Sequence, residues 1–211
     1  MPVAKPEQKS AQYADHNREE RGRGFVYARP ERTTLFRRYV GGPGRRVLDL
    51  GCRDGALSVA YLDGNEVVGV DVDREALAHA EARGLTTEWA DLDEPLAFED
   101  GSFDVVVAGE LLEHIRSPQR LIDESRRVLR PGGTLVGSTP NGFRLKNRLR
   151  FAAGRHPEPD PTHLHLCRPD DVRELLRSFE QPELHFVAGR FVPLNARLFA
   201  NVIVFSGRKP R

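Results

Sequence analysis

Short apolar runs and stretches with helical spacing alternate along this chain. Val47-Leu48 with Leu50, then Val67-Val68-Gly69-Val70, then Phe103-Asp104-Val105-Val106-Val107-Ala108 have the length and β-branched content of buried strands. Thr86-Thr87-Glu88-Trp89 is a weaker β-like run, and Leu129-Arg130-Pro131-Gly132-Gly133-Thr134-Leu135 reads as a turn opening a further strand. Helices are expected between them. One spans about 56–62 and ends at the turn signal Asp63-Gly64-Asn65; the next starts at an Asp73 N-cap, carries Ala76, Leu77 and Ala80 as its stripe, and stops at Gly84. A third opens at Ser117-Pro118 and turns Leu121, Ile122, Val128 and Leu129 inward. Strand and helix in this alternation predict right-handed βαβ units and a parallel sheet.

Upstream of the first strand, Leu35, Phe36, Tyr39 and Val40 fit one face of a helix over about 31–40, set in an Arg-rich run (Arg18, Arg21, Arg23, Arg29, Arg32, Arg37, Arg38). Gly41-Gly42-Pro43-Gly44 breaks that helix and marks the start of the core. The chain divides accordingly into a tail with lid helices, residues 1–40, and one catalytic-sized domain, residues 41–211. Within the domain, residues 143–168 stand apart. A basic cluster (Arg144, Lys146, Arg148, Arg150, Arg155) leads into three prolines alternating with acids, which form neither an ordinary helix nor a central strand, so an irregular insertion is expected. A helix over 170–179 and two β-like runs, 183–188 and 201–206, follow.

The chemistry gathers where the strands end. Asp49-Leu50-Gly51-Cys52-Arg53-Asp54-Gly55 forms a strand, glycine turn and helix start of the kind that lets a backbone approach a nucleotide. Asp71 closes the second run 22 positions beyond Asp49, close to the separation at which a carboxylate accepts from a ribose diol. Asp91-Leu92 follows the third run, Glu110 ends the fourth, and Glu113-His114 falls on the first turn of an expected helix, where either could act as a base. In their order and spacing these motifs resemble the class I S-adenosylmethionine (SAM) dependent methyltransferases, especially the small bacterial ubiquinone-biosynthesis and MetW-like members, over about residues 45–207. The resemblance implies an α/β, Rossmann-like three-layer sandwich whose seven-stranded sheet is mostly parallel with an antiparallel C-terminal strand. It implies SAM as cofactor, held by Asp49, Gly51, Cys52, Arg53, Gly55, Asp71, Val72, Asp91, Leu92 and Glu110. One position departs from the pattern: Arg53 stands where the family usually has glycine, so its side chain either points away from the cofactor or reaches across it toward a carboxylate.

Methyl transfer needs an aligned acceptor more than a strong base. An oxygen or nitrogen acceptor still has to lose a proton, for which His114, His163 and His165 are the candidates, against their reading as packed or loop histidines. His163 and His165, two apart in extended chain, would face the same way. With His156 and Asp160 they could suit a metal, but histidines beside prolines read better as loop residues and no metal site is assigned. The implied function is methyl transfer to a small metabolite, for which the basic cluster would suit an anionic one. Two alternatives compete: a non-catalytic SAM-binding partner protein of MetW-like type, and an NAD-binding oxidoreductase, since a glycine turn followed by an acid also describes dinucleotide sites.

Composition changes little in this picture. The 211 residues carry a formal net charge of +1, which argues against nucleic acid as partner, although 28 of the 32 basic residues are Arg. The two cysteines, Cys52 and Cys167, describe neither a zinc knuckle nor a disulfide framework. No run approaches the roughly 18 apolar residues of a membrane span, and the first ten residues lack an apolar signal region. A cytoplasmic monomer or homodimer is expected, without a membrane partner.

Overall fold

The computed structural model describes residues 22, 24–157, 160, 162–189 and 191–211. The expected tail over residues 1–20 lies outside the described residues. A first helix, α1 (Arg29–Val40), precedes β1 (Arg46–Leu50), β2 (Glu66–Asp71), α2 (Arg74–Ala82), β3 (Thr86–Trp89) and β4 (Phe103–Gly109). Then come α3 (Pro118–Val128), β5 (Leu129–Pro140), α4 (Leu145–Ala152), α5 (Pro169–Leu175), β6 (Glu180–Val187), α6 (Ala196–Phe199) and β7 (Val202–Arg208). The strands form one sheet of order β3-β2-β1-β4-β5-β7-β6. β1 pairs in parallel with β2 and β4, and β7 runs antiparallel to both β5 and β6. The strand order reverses between β1 and β4, the place where open α/β sheets bind their ligands.

Both faces of the sheet are covered, which explains why the central strands read as unbroken apolar runs. Leu48, Leu50, Val68, Val70, Val106 and Ala108 pack on one side with Leu121, Ile122 and Val128 of α3 and Val172 of α5. Their neighbours in the pleat, Val47, Val67, Val105 and Val107, pack on the other with Phe36 and Val40 of α1 and Leu77 and Ala80 of α2. The period of two along each strand therefore feeds two cores, and the three layers expected from the resemblance are present.

Five local expectations need correction. Residues 56–62 make only a 3-10 turn, Ser58–Ala60, because Ser58 and Tyr61 are drawn inward to hydrogen-bond the Asp49 carboxylate at 2.5 and 2.7 Å. The segment after β4 is likewise a single 3-10 turn, Leu112–His114, where a helix was expected. α5 ends at Leu175, four residues early, since the chain tightens into turns that bury Leu176 and Phe179. The basic half of the 143–168 insertion is the helix α4; the described residues of the other half form neither helix nor strand. The glycines at 132–133 belong to a bulge inside one long β5, visible as a register shift against β4 between Phe103 and Val105.

Gly137 of β5 faces Phe205 of β7 directly. A Cβ at residue 137 would meet the Phe205 ring and lie 2.6 Å from Ala108 O. Backbone on one side prevents relaxation, so Gly137→Ala should cost about 1–3 kcal/mol of overpacking; urea unfolding should show a lower midpoint at unchanged m-value, and an unchanged midpoint would refute the close approach.

Candidate functional site

The four adjacent parallel strands β3-β2-β1-β4 end along one edge, and each end carries a residue singled out from the sequence. Asp71 knits that edge together. Its Oδ2 accepts Arg53 N–H at 2.8 Å, and its Oδ1 accepts Asp73 N–H at 2.9 Å. Burial pushes the Asp71 carboxyl upward, and the two backbone donors pull the other way. The β1 turn is sewn to β2 as well, Gly51 N and Cys52 N both donating to Val70 O at 2.8 and 3.1 Å. Trp89 Nε1 donates to Val72 O at 2.8 Å, which fixes the β3 end beside the β2 end.

Asp49 lies beneath the turn that follows β1. Its Oδ2 takes the Ser58 and Tyr61 hydroxyls, so the carboxylate shapes the floor of the turn from below. Burial raises its pKa to about 6, with the two hydroxyls opposing. Cys52 also faces inward: a Cβ on Gly69 would lie 2.7 Å from its Sγ, so only its backbone belongs to the turn. Gly51 and Gly55 hold φ of +68° and +73°, and Arg53 holds +51°. That left-handed angle is the physical reason a glycine is the common choice at residue 53. The Arg53 guanidinium reaches the segment before α1, donating to Phe25 O at 3.2 Å and to Gly22 O. Asp91 Oδ1 caps Asp93 N at 3.0 Å, and Leu92 is buried. Glu110 is also left-handed (φ +56°), its N–H donating to Ser138 O at 2.9 Å, and its buried Oε1 has no hydrogen-bond partner.

One further group was not singled out as a site residue. Arg32 of α1 is buried, donates to Tyr27 O at 3.3 Å, and keeps a buried Nε without a partner. A Cβ on Gly109 would lie 2.7 Å from its Nη2, which places the guanidinium at the end of β4. The signal was in the pattern: Arg32 stands four residues before Phe36 and eight before Val40, a charge inside the apolar stripe. Glu113, named with His114 from the sequence, is buried on the 3-10 turn after β4, with Oε2 accepting Thr139 Oγ1 at 3.1 Å. The proline-bearing segment folds onto this turn, Leu164 N and His165 N both donating to Glu113 O at 2.7 and 3.3 Å. His163 meets the His114 ring edge-on, centroids 4.8 Å apart. His165 does not share that direction: its Nε2 bonds Ile115 O at 2.9 Å.

A family model described as a methyltransferase domain matches residues 18–180. The chain belongs to this family. It is 35% identical over 138 residues to a probable S-adenosylmethionine-dependent methyltransferase of Mycolicibacterium smegmatis, covering 64% of this chain and 51% of that one. It is 32% identical over 157 residues to a ubiquinone biosynthesis O-methyltransferase of Burkholderia vietnamiensis, 68% of this chain and 66% of the relative. The chain thus spans about half the length of the mycobacterial relative. In fold it is similar to a SAM-dependent methyltransferase structure from Archaeoglobus fulgidus, with a TM-score of 0.72 at 20% identity, covering 94% of this chain and 99% of that one.

In this methyltransferase domain the buried Asp49 has a measurable consequence. The folded chain holds the Asp49 proton more tightly than an unfolded chain does, so its contribution to stability is present below the ordinary value of 3.8 and is lost as pH rises through about 6. Relative to Asp49→Asn, wild type should lose on the order of 2–3 kcal/mol between pH 4 and 7, read from denaturant unfolding at each pH. A flat difference across that window would place the Asp49 carboxyl in solvent.

Proposed function

We propose that this methyltransferase domain binds SAM along the β3-β2-β1-β4 edge and transfers its methyl group to an oxygen or nitrogen of a small metabolite. The carrying observation is that Asp91, Asp71, Gly51 and Glu110 end four adjacent strands, with unpartnered polar atoms of Glu110 and Arg32 buried at the same edge. The residues suit the cofactor. Each Asp71 oxygen already takes one backbone N–H and still has a lone-pair site for a ribose hydroxyl. Arg32 supplies a buried cation for the methionine carboxylate, a role that Arg53, engaged with Gly22 O and Phe25 O, does not take. Asp91 and Leu92 stand where the adenine would lie, and the Gly51 turn lets the backbone come close. The cofactor, when bound, supplies a methyl carbon on a sulfonium centre.

The remaining work of the chain is to orient the acceptor, exclude water and receive a proton. For the last of these we consider Glu113, His114 and His163, either as proton acceptors themselves or as ligands of a cation that acidifies the acceptor. Lys146, Arg150 and Arg155 line a groove of about 450 Å³ with Leu145, Leu149 and Phe199, and we assign to it an acidic portion of the acceptor. Arg144 and Arg148 are committed elsewhere, to Asn201 Oδ1 at 2.5 Å and Phe143 O at 2.9 Å.

Calorimetry with SAM and with NAD, followed by an assay for S-adenosylhomocysteine release over an acceptor panel, tests this reading; tight NAD binding without SAM binding would overturn it. Asp71→Ala should weaken SAM by about 1–3 kcal/mol through the lost ribose acceptor. Arg32→Met should weaken SAM by about 1.5–3 kcal/mol while leaving 5′-methylthioadenosine, which lacks the carboxylate, nearly unaffected; equal losses for both ligands would remove Arg32 from carboxylate recognition.

A further inference from the structure

Glu113, His114 and His163 each present one potential ligand atom to a common point, the three atoms lying within 4.8 Å of one another. Glu113 is 1% and His114 7% exposed, and the His163 side chain is 7% exposed, so the cluster is shut away from bulk water. Two imidazoles and a carboxylate form a donor set of intermediate softness, suited to first-row transition metals more than to magnesium or calcium.

The surroundings orient both rings and fix the inward atom of His114. His114 Nδ1 lies 3.1 Å from Thr162 O. A carbonyl only accepts, so Nδ1 carries a proton and the lone pair sits on Nε2. His163 Nε2 lies 3.5 Å from Asp160 Oδ2. This is an ion-pair approach without hydrogen-bond geometry, which orients the ring while either nitrogen of His163 can serve as the ligand atom. Asp160 is itself held, its Oδ1 accepting Thr162 N at 2.9 Å and Thr162 Oγ1 at 2.6 Å. Glu113 Oε2 takes the Thr139 hydroxyl, orienting Oε1. Metal-binding imidazoles characteristically give their second N–H to a carbonyl or carboxylate in this way.

We propose that Glu113, His114 and His163 hold one divalent transition-metal cation, with Thr162 and Asp160 fixing the two imidazoles. Three protein ligands leave a coordination position for water or for an oxygen of the acceptor. That last role rests on the methyltransferase reading; cation binding itself does not.

The full chain, stripped with a chelator and titrated with Co²⁺ by visible absorption and with Zn²⁺ by calorimetry, provides the test. One Co²⁺ per chain with ligand-field bands, displaced by Zn²⁺, is expected. His163→Gln and Glu113→Gln should lose it, and Asp160→Asn, which keeps all three donors, should bind roughly 10- to 100-fold more weakly. Circular dichroism and S-adenosylhomocysteine affinity, followed in parallel, separate loss of the cation from loss of the fold. The proposal is overturned if stripped wild type takes up no Co²⁺, or if stoichiometric binding survives in His163→Gln. Cobalt binding without S-adenosylhomocysteine binding would instead leave the cation site standing and defeat the functional reading alone.

Discussion

A parallel sheet ends, on its C-terminal edge, in backbone N–H groups that no further strand can satisfy, and this chain meets that requirement with carboxylates. Asp71 accepts from Arg53 N and Asp73 N, so one side chain closes the turn after β1 and starts the turn before α2. Asp49, from underneath, takes two side-chain hydroxyls instead and braces the turn that follows β1. Charge-assisted bonds of this type are worth about 1.5–3 kcal/mol each, whereas burying an unpaired carboxylate would cost more than that. The rim therefore holds its shape only while its donors are in place, and the cofactor binding proposed above would rely on the same fixed polarity.

Packing reinforces this arrangement. Because α1 and α2 cover one face and α3 and α5 the other, the strands beneath the rim have little freedom to slide. The close approach of Gly137 to the β7 aromatic and to Ala108 O fixes β5 against its neighbours. α1 adds a charged residue to this packing: Phe36 and Val40 anchor the helix, and Arg32, one turn earlier on the same face, is carried to the end of β4. Burial of two apolar side chains thus positions a cation that the rim alone does not provide.

What could be read from the sequence follows from this division. β1, β2 and β4 were legible because period-two burial on two faces leaves a continuous apolar run, and Asp71 because its spacing from Asp49 is set by the length of one βα unit. The turn after Gly55 was not, since its 3-10 form depends on Ser58 and Tyr61 bonding a residue nine and twelve positions back. Arg32 was hidden by the Arg-rich run around it, although its place in the apolar stripe marked it. His163 was named without its partner: its contact with His114 spans some fifty positions of chain and no local period encodes it.

That long-range contact raises the question of what holds the histidine segment down. Four hydrogen bonds join residues 162–165 to the turn 113–115: Leu164 N and His165 N to Glu113 O, His165 Nε2 to Ile115 O, and His114 Nδ1 to Thr162 O. At about 1 kcal/mol net apiece they supply roughly 4 kcal/mol. Ordering four residues costs about 4–8 kcal/mol of backbone entropy. The bonds alone come out short, so the segment needs its anchors. Cys167, buried in the core beside Val172 and Leu176, fixes one end. The prolines at 157, 159 and 161 restrict the unfolded chain and lower the entropy to be lost at the other. The composition that forbids regular structure here is therefore what allows an irregular strap to carry His163 to a defined place.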